Sequence, residues 1–139
     1  MRVILDTNVL IGALISPHGS PDVIYRAWRA DRFDLVTSTT QLDELRRVSR
    51  YPKLKVILPA HRIGTMINNL QRAIVLNTLS TLPDGMAIND PNDVFLLAMA
   101  LASKADYLVT GDGRSGLLQL ATVGCTRIVT PSLFCAEVL

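Results

Sequence analysis

Aromatic residues are scarce in this chain: three phenylalanines, three tyrosines and one tryptophan, 5% of 139 residues. That scarcity excludes an extensive platform for stacking bases. Cysteine is scarcer still, with only Cys125 and Cys135. They form no C-x-x-C pair and have no histidine nearby at zinc-ligand spacing, which excludes a disulfide scaffold and a structural zinc site. Two free, buried thiols in a reducing compartment are expected instead. Long hydrophobic runs are absent. The longest, Val94 to Ala102, is too short to cross a bilayer. The N-terminus, Met1-Arg2-Val3-Ile4-Leu5-Asp6, lacks the apolar stretch and small-residue cleavage site of a signal peptide. A cytoplasmic location away from membranes is the default expectation. Strong charge is missing too: charged residues make up 19% and the net charge is +2. This excludes a disordered chain, and a pI near 8.7 permits nucleic-acid binding without demanding it.

What the chain does have is apolar material, 49% of its residues, with a mean hydropathy of +0.31. Its length suits one ordinary domain spanning 1–139, able to bury a core without covalent staples. Arg2-Val3-Ile4-Leu5 reads as a buried strand ending at Asp6. Ser20-Pro21-Asp22 reads as a helix start, with Ser20 as N-cap and Pro21 in the first turn. Phe33 to Thr37 is a second strand. Ser38 followed by Gln41 matches a capping box opening a helix with Leu42, Leu45 and Val48 as its apolar stripe, and Tyr51-Pro52 ends it. A helix from Pro59 to about Arg72 and a strand from Ala73 to Leu76 follow. Thr78 to Asn89 reads as a loop around Pro83, Asp84 and Gly85. Asp90-Pro91 opens a helix apolar on nearly every face, hence buried. Tyr107 to Thr110 is a strand closed by Gly111-Asp112-Gly113. Leu117 to Leu120 is a short helix and Arg127 to Val129 a last strand. This alternation predicts an α/β fold, a three-layer sandwich whose mostly parallel central sheet is flanked by helices.

Sites in such sheets form at the carboxyl ends of strands. Asp6 stands where the first strand ends, and Asp112 just past the strand Tyr107–Thr110. Asp93 and Glu44 each lie early in a helix that leaves the same rim. Four carboxylates converging there repel one another unless a cation holds them, and their hard oxygens suit Mg²⁺ or Mn²⁺. Such an ion retains water for attack and stabilises charge on a phosphate. Singly, each acid has a plainer role: Asp93 as a favourable charge at a helix N-terminus, Glu44 as a solvated helix charge, Asp112 as a turn residue. Asp6 resists this, because an acid after a buried strand is costly unless used. Asp90 is assigned to capping, Asp106 to the turn before its strand, and Asp22 to the first capped helix.

Taken together, these segments resemble the PIN-domain family. Val3-Ile4-Leu5-Asp6-Thr7-Asn8 is similar to its first motif. Ser38-Thr39-Thr40-Gln41-Leu42-Asp43-Glu44 is similar to the second, with its glutamate at Glu44. Asp90-Pro91-Asn92-Asp93 is similar to the third, with its acid at Asp93. Tyr107-Leu108-Val109-Thr110-Gly111-Asp112 is similar to the fourth, with its acid at Asp112. The likeness runs from residue 1 to about 120, in the family's order. It is strongest to the VapC-like subgroup, the toxin components of bacterial toxin–antitoxin pairs. The resemblance implies a metal-dependent endoribonuclease acting on single-stranded RNA, often a homodimer, inhibited by a small antitoxin protein. It implies that Asp6, Glu44, Asp93 and Asp112 are both catalytic and metal-binding, and that Asn8, Ser38 and Thr110 steady them. Gly113-Arg114-Ser115-Gly116 departs from the pattern where relatives often carry a further acid, and Pro131 onward matches only loosely.

Phosphate contacts need cations near the acidic rim. Arg46, Arg47 and Arg50, with Lys53 and Lys55, follow Glu44, and Arg114 follows Asp112. Arg26, Arg29 and Arg32 form a further cluster. Each cluster also fits a solvated helix face. Two other readings compete with the nuclease. A non-catalytic PIN-like module binding RNA or protein would be marked by loss of acids, and all four are present. A phosphatase of the haloacid-dehalogenase type also places Asp after its first strand, but wants a second Asp where this chain has Asn8.

Overall fold

The computed structural model describes residues 1–79, 94–111 and 116–139. The chain opens with β1 (Arg2–Leu5), α1 (Thr7–Ile15), α2 (Ser20–Arg29) and β2 (Asp34–Ser38). Next come α3 (Thr39–Val48), α4 (Pro52–Ile57), α5 (Ala60–Leu70) and β3 (Ile74–Leu76). Then follow α6 (Val94–Ser103), β4 (Tyr107–Val109), α7 (Leu117–Leu120), β5 (Thr122–Val123), β6 (Thr126–Val129) and α8 (Pro131–Glu137). The six strands form one sheet in the order β3-β2-β1-β4-β6-β5, parallel except for β5 against β6. Helices cover both faces, as the alternating pattern predicts.

Side-chain alternation divides the core into two halves. Val3, Leu5, Leu35, Val109 and Val129 face α1, α2, α3, α5 and α8. Ile4, Val36, Leu108 and Ile128 face α6 and α7. Because both faces are buried, neither set needs a polar counterpart, and the strands read as continuous apolar runs. Helix α6 matches its composition: Leu96, Leu97, Ala98, Met99 and Ala100 are all buried. No helix among the described residues is long and apolar enough to cross a membrane.

The strand order places a topological switch beside β1. The chain leaves β1 outward through β2 and β3, then returns to β1's other side as β4. Ligands of open α/β sheets bind in the crevice at the carboxyl ends of the strands where the order reverses. Here that crevice lies between the ends of β1 and β4, paired through Leu5 and Val109.

Several local expectations change. Helix α1 follows Asp6 directly and has no polar stripe to announce it, since Val9, Leu10, Ile11, Ala13 and Leu14 are all buried. The N-cap of α2 is Gly19, not Ser20, and makes no side-chain cap bond. Instead the Asp22 carboxylate in its first turn accepts from the His18 N–H at 2.9 Å and pairs with Arg26 at 3.0 Å. Pro52 does stand beyond the end of α3, but it also starts α4, because a proline fits a first helical position that needs no N–H partner. Pro131 does the same for α8, behind the cap Thr130, whose hydroxyl accepts from Leu133 N–H. Strand β5 was not foreseen; two residues long, it turns into β6 through Gly124 at φ +56°. The helix start around Asp90 and the loop around Pro83 lie outside the described residues.

Both thiols are free, but neither is buried as expected. Cys125 is exposed in the β5–β6 turn, and Cys135 is half-buried with its Sγ 3.7 Å from the Ser20 carbonyl. Burial pushes the Cys135 thiol above its ordinary value. At a given pH near 8 it therefore carries less thiolate, the reactive form. Iodoacetamide is expected to alkylate Cys125 several-fold faster than Cys135, read by mass spectrometry. Equal rates would contradict this placement. Leu97, fully buried on α6, sets the scale of core stability: Leu97→Ala should cost about 2–5 kcal/mol in urea unfolding.

Candidate active site

Among the described residues, the rim around Asp6 includes two strand-to-helix junctions with almost no connecting loop. At the first, Asp6 is both the residue after β1 and the N-cap of α1. Its backbone N–H donates to the Val109 carbonyl at 2.9 Å, extending the β1–β4 ladder by one bond. The residue is only 3% exposed. Oδ1 accepts from the Asn8 N–H at 3.3 Å, and Oδ2 accepts from the Thr110 hydroxyl at 2.7 Å. A carboxylate at a helix N-terminus also sits at the positive end of the peptide dipoles. The neighbouring Thr7 hydroxyl is fully buried and lacks a hydrogen-bond partner among the described residues.

The second junction joins β2 to α3. Ser38 caps α3, its Oγ accepting from Gln41 N–H at 3.0 Å and donating to Met99 Sδ at 3.3 Å. The capping box forms only this half. The Gln41 side chain, instead of returning to the Ser38 N–H, donates from Nε2 to the Leu5 carbonyl at 2.6 Å and accepts from the Thr37 hydroxyl at 2.7 Å. It thus ties the first turn of α3 to the end of β1. Glu44 lies one turn further along α3, half-buried.

The residues expected to steady the acids make these contacts. Thr110, at the end of β4, holds the Asp6 carboxylate directly. Asn8 contributes its backbone N–H, while its side chain is at an exposed position. Ser38 fixes where the Glu44 helix begins. Asp93, Asp112 and Arg114 lie outside the described residues. Asp112 follows Thr110 by two residues in the chain and Asp93 immediately precedes α6, whose Met99 reaches Ser38. Gln41 was the residue sequence reasoning misassigned: a buried glutamine flanked by Leu42 and Leu45 on a helix is itself the signal.

Among the expected cations, Arg46 is exposed and paired with Asp43 at 3.1 Å, and Arg47 donates to the Tyr51 hydroxyl at 2.9 Å. Arg46, Arg50 and Lys55 line a groove of about 430 Å³ between α3, α4 and α5, floored by Leu58, Ile63 and Ile67. Arg26 is held by Asp22, and Arg29 lies over the Trp28 ring.

A family model described as PIN domain matches residues 2–114. The chain belongs to the PIN-domain family. PIN domains are generally nucleases, and the segment matched contains Asp6, Glu44, Asp93 and Asp112. A search of curated proteins finds no match. Among solved structures, the fold is similar to VapBC2 from Rickettsia felis bound to a DNA fragment from their promoter. The TM-score is 0.59 over 94% of this chain and 98% of that one, at 18% identity, a likeness of fold.

The hydrogen bonds to Asp6 carry a stability prediction. Asp6→Asn keeps an acceptor for the Asn8 N–H and a polar partner for Thr110. Asp6→Ala removes both, at a cost of about 1–2 kcal/mol for a lost cap. In thermal melts with chelator, Asp6→Ala should unfold below Asp6→Asn; the reverse order would mean that these contacts do not hold the junction.

Proposed function

We propose that the chain is a single-domain PIN ribonuclease, residues 1–139, that uses Mg²⁺ or Mn²⁺ to cleave single-stranded RNA and is the toxin of a toxin–antitoxin pair. Asp6 carries this reading: a nearly buried carboxylate at the topological switch, oriented by Asn8 N–H and Thr110 Oγ1. The donor set fits a divalent cation. Each carboxylate oxygen has two lone pairs, so a hydrogen bond on one is compatible with a hard cation on the other. Asp6, Glu44, Asp93 and Asp112 are the proposed ligands. Bound there, the ion would make a bound water more acidic and neutralise charge building on the phosphate.

The chain's own residues divide the remaining work. Thr110 and Asn8 keep the Asp6 carboxylate in one orientation. The Ser38 cap and Gln41 hold the helix bearing Glu44 against the end of β1. Arg46, Arg47 and Arg50, with Arg114, are proposed to meet phosphates on the RNA, the first three from α3 and the turn after it. The toxin reading adds a small antitoxin as partner and a homodimer as the working form. It is supported by the fold shared with VapBC2 and by the motif likeness at Asp6, Glu44, Asp93 and Asp112.

Asp6→Asn and Asp93→Asn should each abolish most Mg²⁺- or Mn²⁺-dependent cleavage of single-stranded RNA, measured on matched preparations. Wild-type rates in both would reject the site. Metal should also raise the melting temperature of the wild type and do much less for Asp6→Asn. At a hundred times the dissociation constant, binding adds about 2.7 kcal/mol, on the order of 5–10 °C at this size. Arg46→Ala and Arg50→Ala should weaken RNA binding and flatten its salt dependence, leaving the metal-induced shift intact.

A further inference from the structure

We infer that Gln41 is a positioning residue of the acidic site: its amide sets Glu44 relative to Asp6 and thereby tunes divalent-cation binding. The inference rests on reading those carboxylates as metal ligands. Gln41 is 1% exposed, and burying an amide is costly unless both ends are satisfied. Its neighbours on the buried side of α3 are Leu42 and Leu45, and a leucine would fill the same place without that cost. Both amide ends are used, and in a set orientation. The Leu5 carbonyl can only accept, so it faces Nε2 at 2.6 Å; Oε1 is left for the Thr37 hydroxyl at 2.7 Å.

The three groups joined are those that frame the site. Leu5 immediately precedes Asp6 and lies beyond the last β1–β2 pair, Ile4 with Val36. Thr37 immediately precedes Ser38, the cap of α3. The Gln41 N–H itself bonds that cap at 3.0 Å. Glu44 stands three residues on, on the same side of the helix. One side chain therefore locks the β1 end, the β2 end and the first turn of α3 together. Mg²⁺ demands near-octahedral geometry with short oxygen distances, so a small shift of α3 against β1 weakens the site even if the fold survives. A core role alone would affect melting and leave metal affinity unchanged.

The test is a Mn²⁺ titration of the full chain followed by electron paramagnetic resonance, below the melting temperature of every variant, with circular dichroism to establish folding. Gln41→Met, close in volume and without the amide, should weaken Mn²⁺ binding about tenfold or more. It should lower kcat on RNA with KM nearly unchanged, because the α3 arginines are untouched. In a Glu44→Gln background the same change should have little further effect on Mn²⁺ affinity, since the coupling runs through Glu44. Thr37→Val, which removes only the bond to Oε1, should shift affinity the same way by less, and decides the matter if Gln41→Met does not fold. Folded variants that bind Mn²⁺ like the wild type overturn the inference alone. So does an equal loss with and without Glu44. A wild type that binds no Mn²⁺ overturns the metal-site reading and this inference with it.

Discussion

Burial of the Asp6 carboxylate is the constraint on which the rim depends. An acid with 3% exposure needs donors in fixed places, and the fold supplies them from two directions. One donor is the N–H two residues ahead, available because α1 begins at once. The other is the Thr110 hydroxyl, available because β4 lies beside β1 in register, Leu5 opposite Val109. The contact spans 104 positions in sequence, so the carboxylate is correctly held only when the β1–β4 pairing has formed. Parallel pairing of this kind needs a crossover that returns the chain to the same end of the sheet, which the long segment from β1 to β4 provides.

The same pairing explains the division of the core. With β1 in mid-sheet, Val3 and Leu5 anchor one helical layer and Ile4 the other. Neither layer is dispensable to the rim. The first carries α1 and α3, whose N-termini start at the ends of β1 and β2. The second carries α6, whose Met99 sulfur accepts from Ser38 and so touches the cap of α3 from behind. Among the described residues, strand-to-helix junctions leave the side chains at the ends of β1 and β2 few alternative positions. That rigidity keeps the Asp6 carboxylate on its two donors.

Much of this was legible in the sequence because it is periodic or punctuated. β1 and β4 announce themselves as short β-rich runs ending at polar residues, and α6 as an unbroken apolar helix. What escaped did so for identifiable reasons. Helix α1 is apolar from Val9 onward and starts without a loop, so no pattern separates it from the strand before it. Pro52 looks like a stop, yet proline at a first helical position is equally a start. Ser20 has the right chemistry for a cap, but Asp22 reaches back to His18 N–H instead, and the helix begins one residue sooner. Cys125 could not be placed because its exposure depends on the β5–β6 turn, a two-residue strand too short to signal itself.

Gln41 shows where local reasoning meets its limit. The spacing from Ser38 to Gln41 fits a capping box, and half of it forms, since Ser38 does accept from the Gln41 N–H. The other half fails because both amide ends are engaged elsewhere, Oε1 by the Thr37 hydroxyl and Nε2 by the Leu5 carbonyl. The Leu5 carbonyl, at the end of β1 and past the last β1–β2 pair, is buried beside the first turn of α3, where a carbonyl left without a donor is costly, and Gln41 Nε2 supplies that donor. Tertiary structure thus redirects a local motif toward the ends of β1 and β2, and a residue that looks like routine helix punctuation becomes the link between β1, β2 and α3.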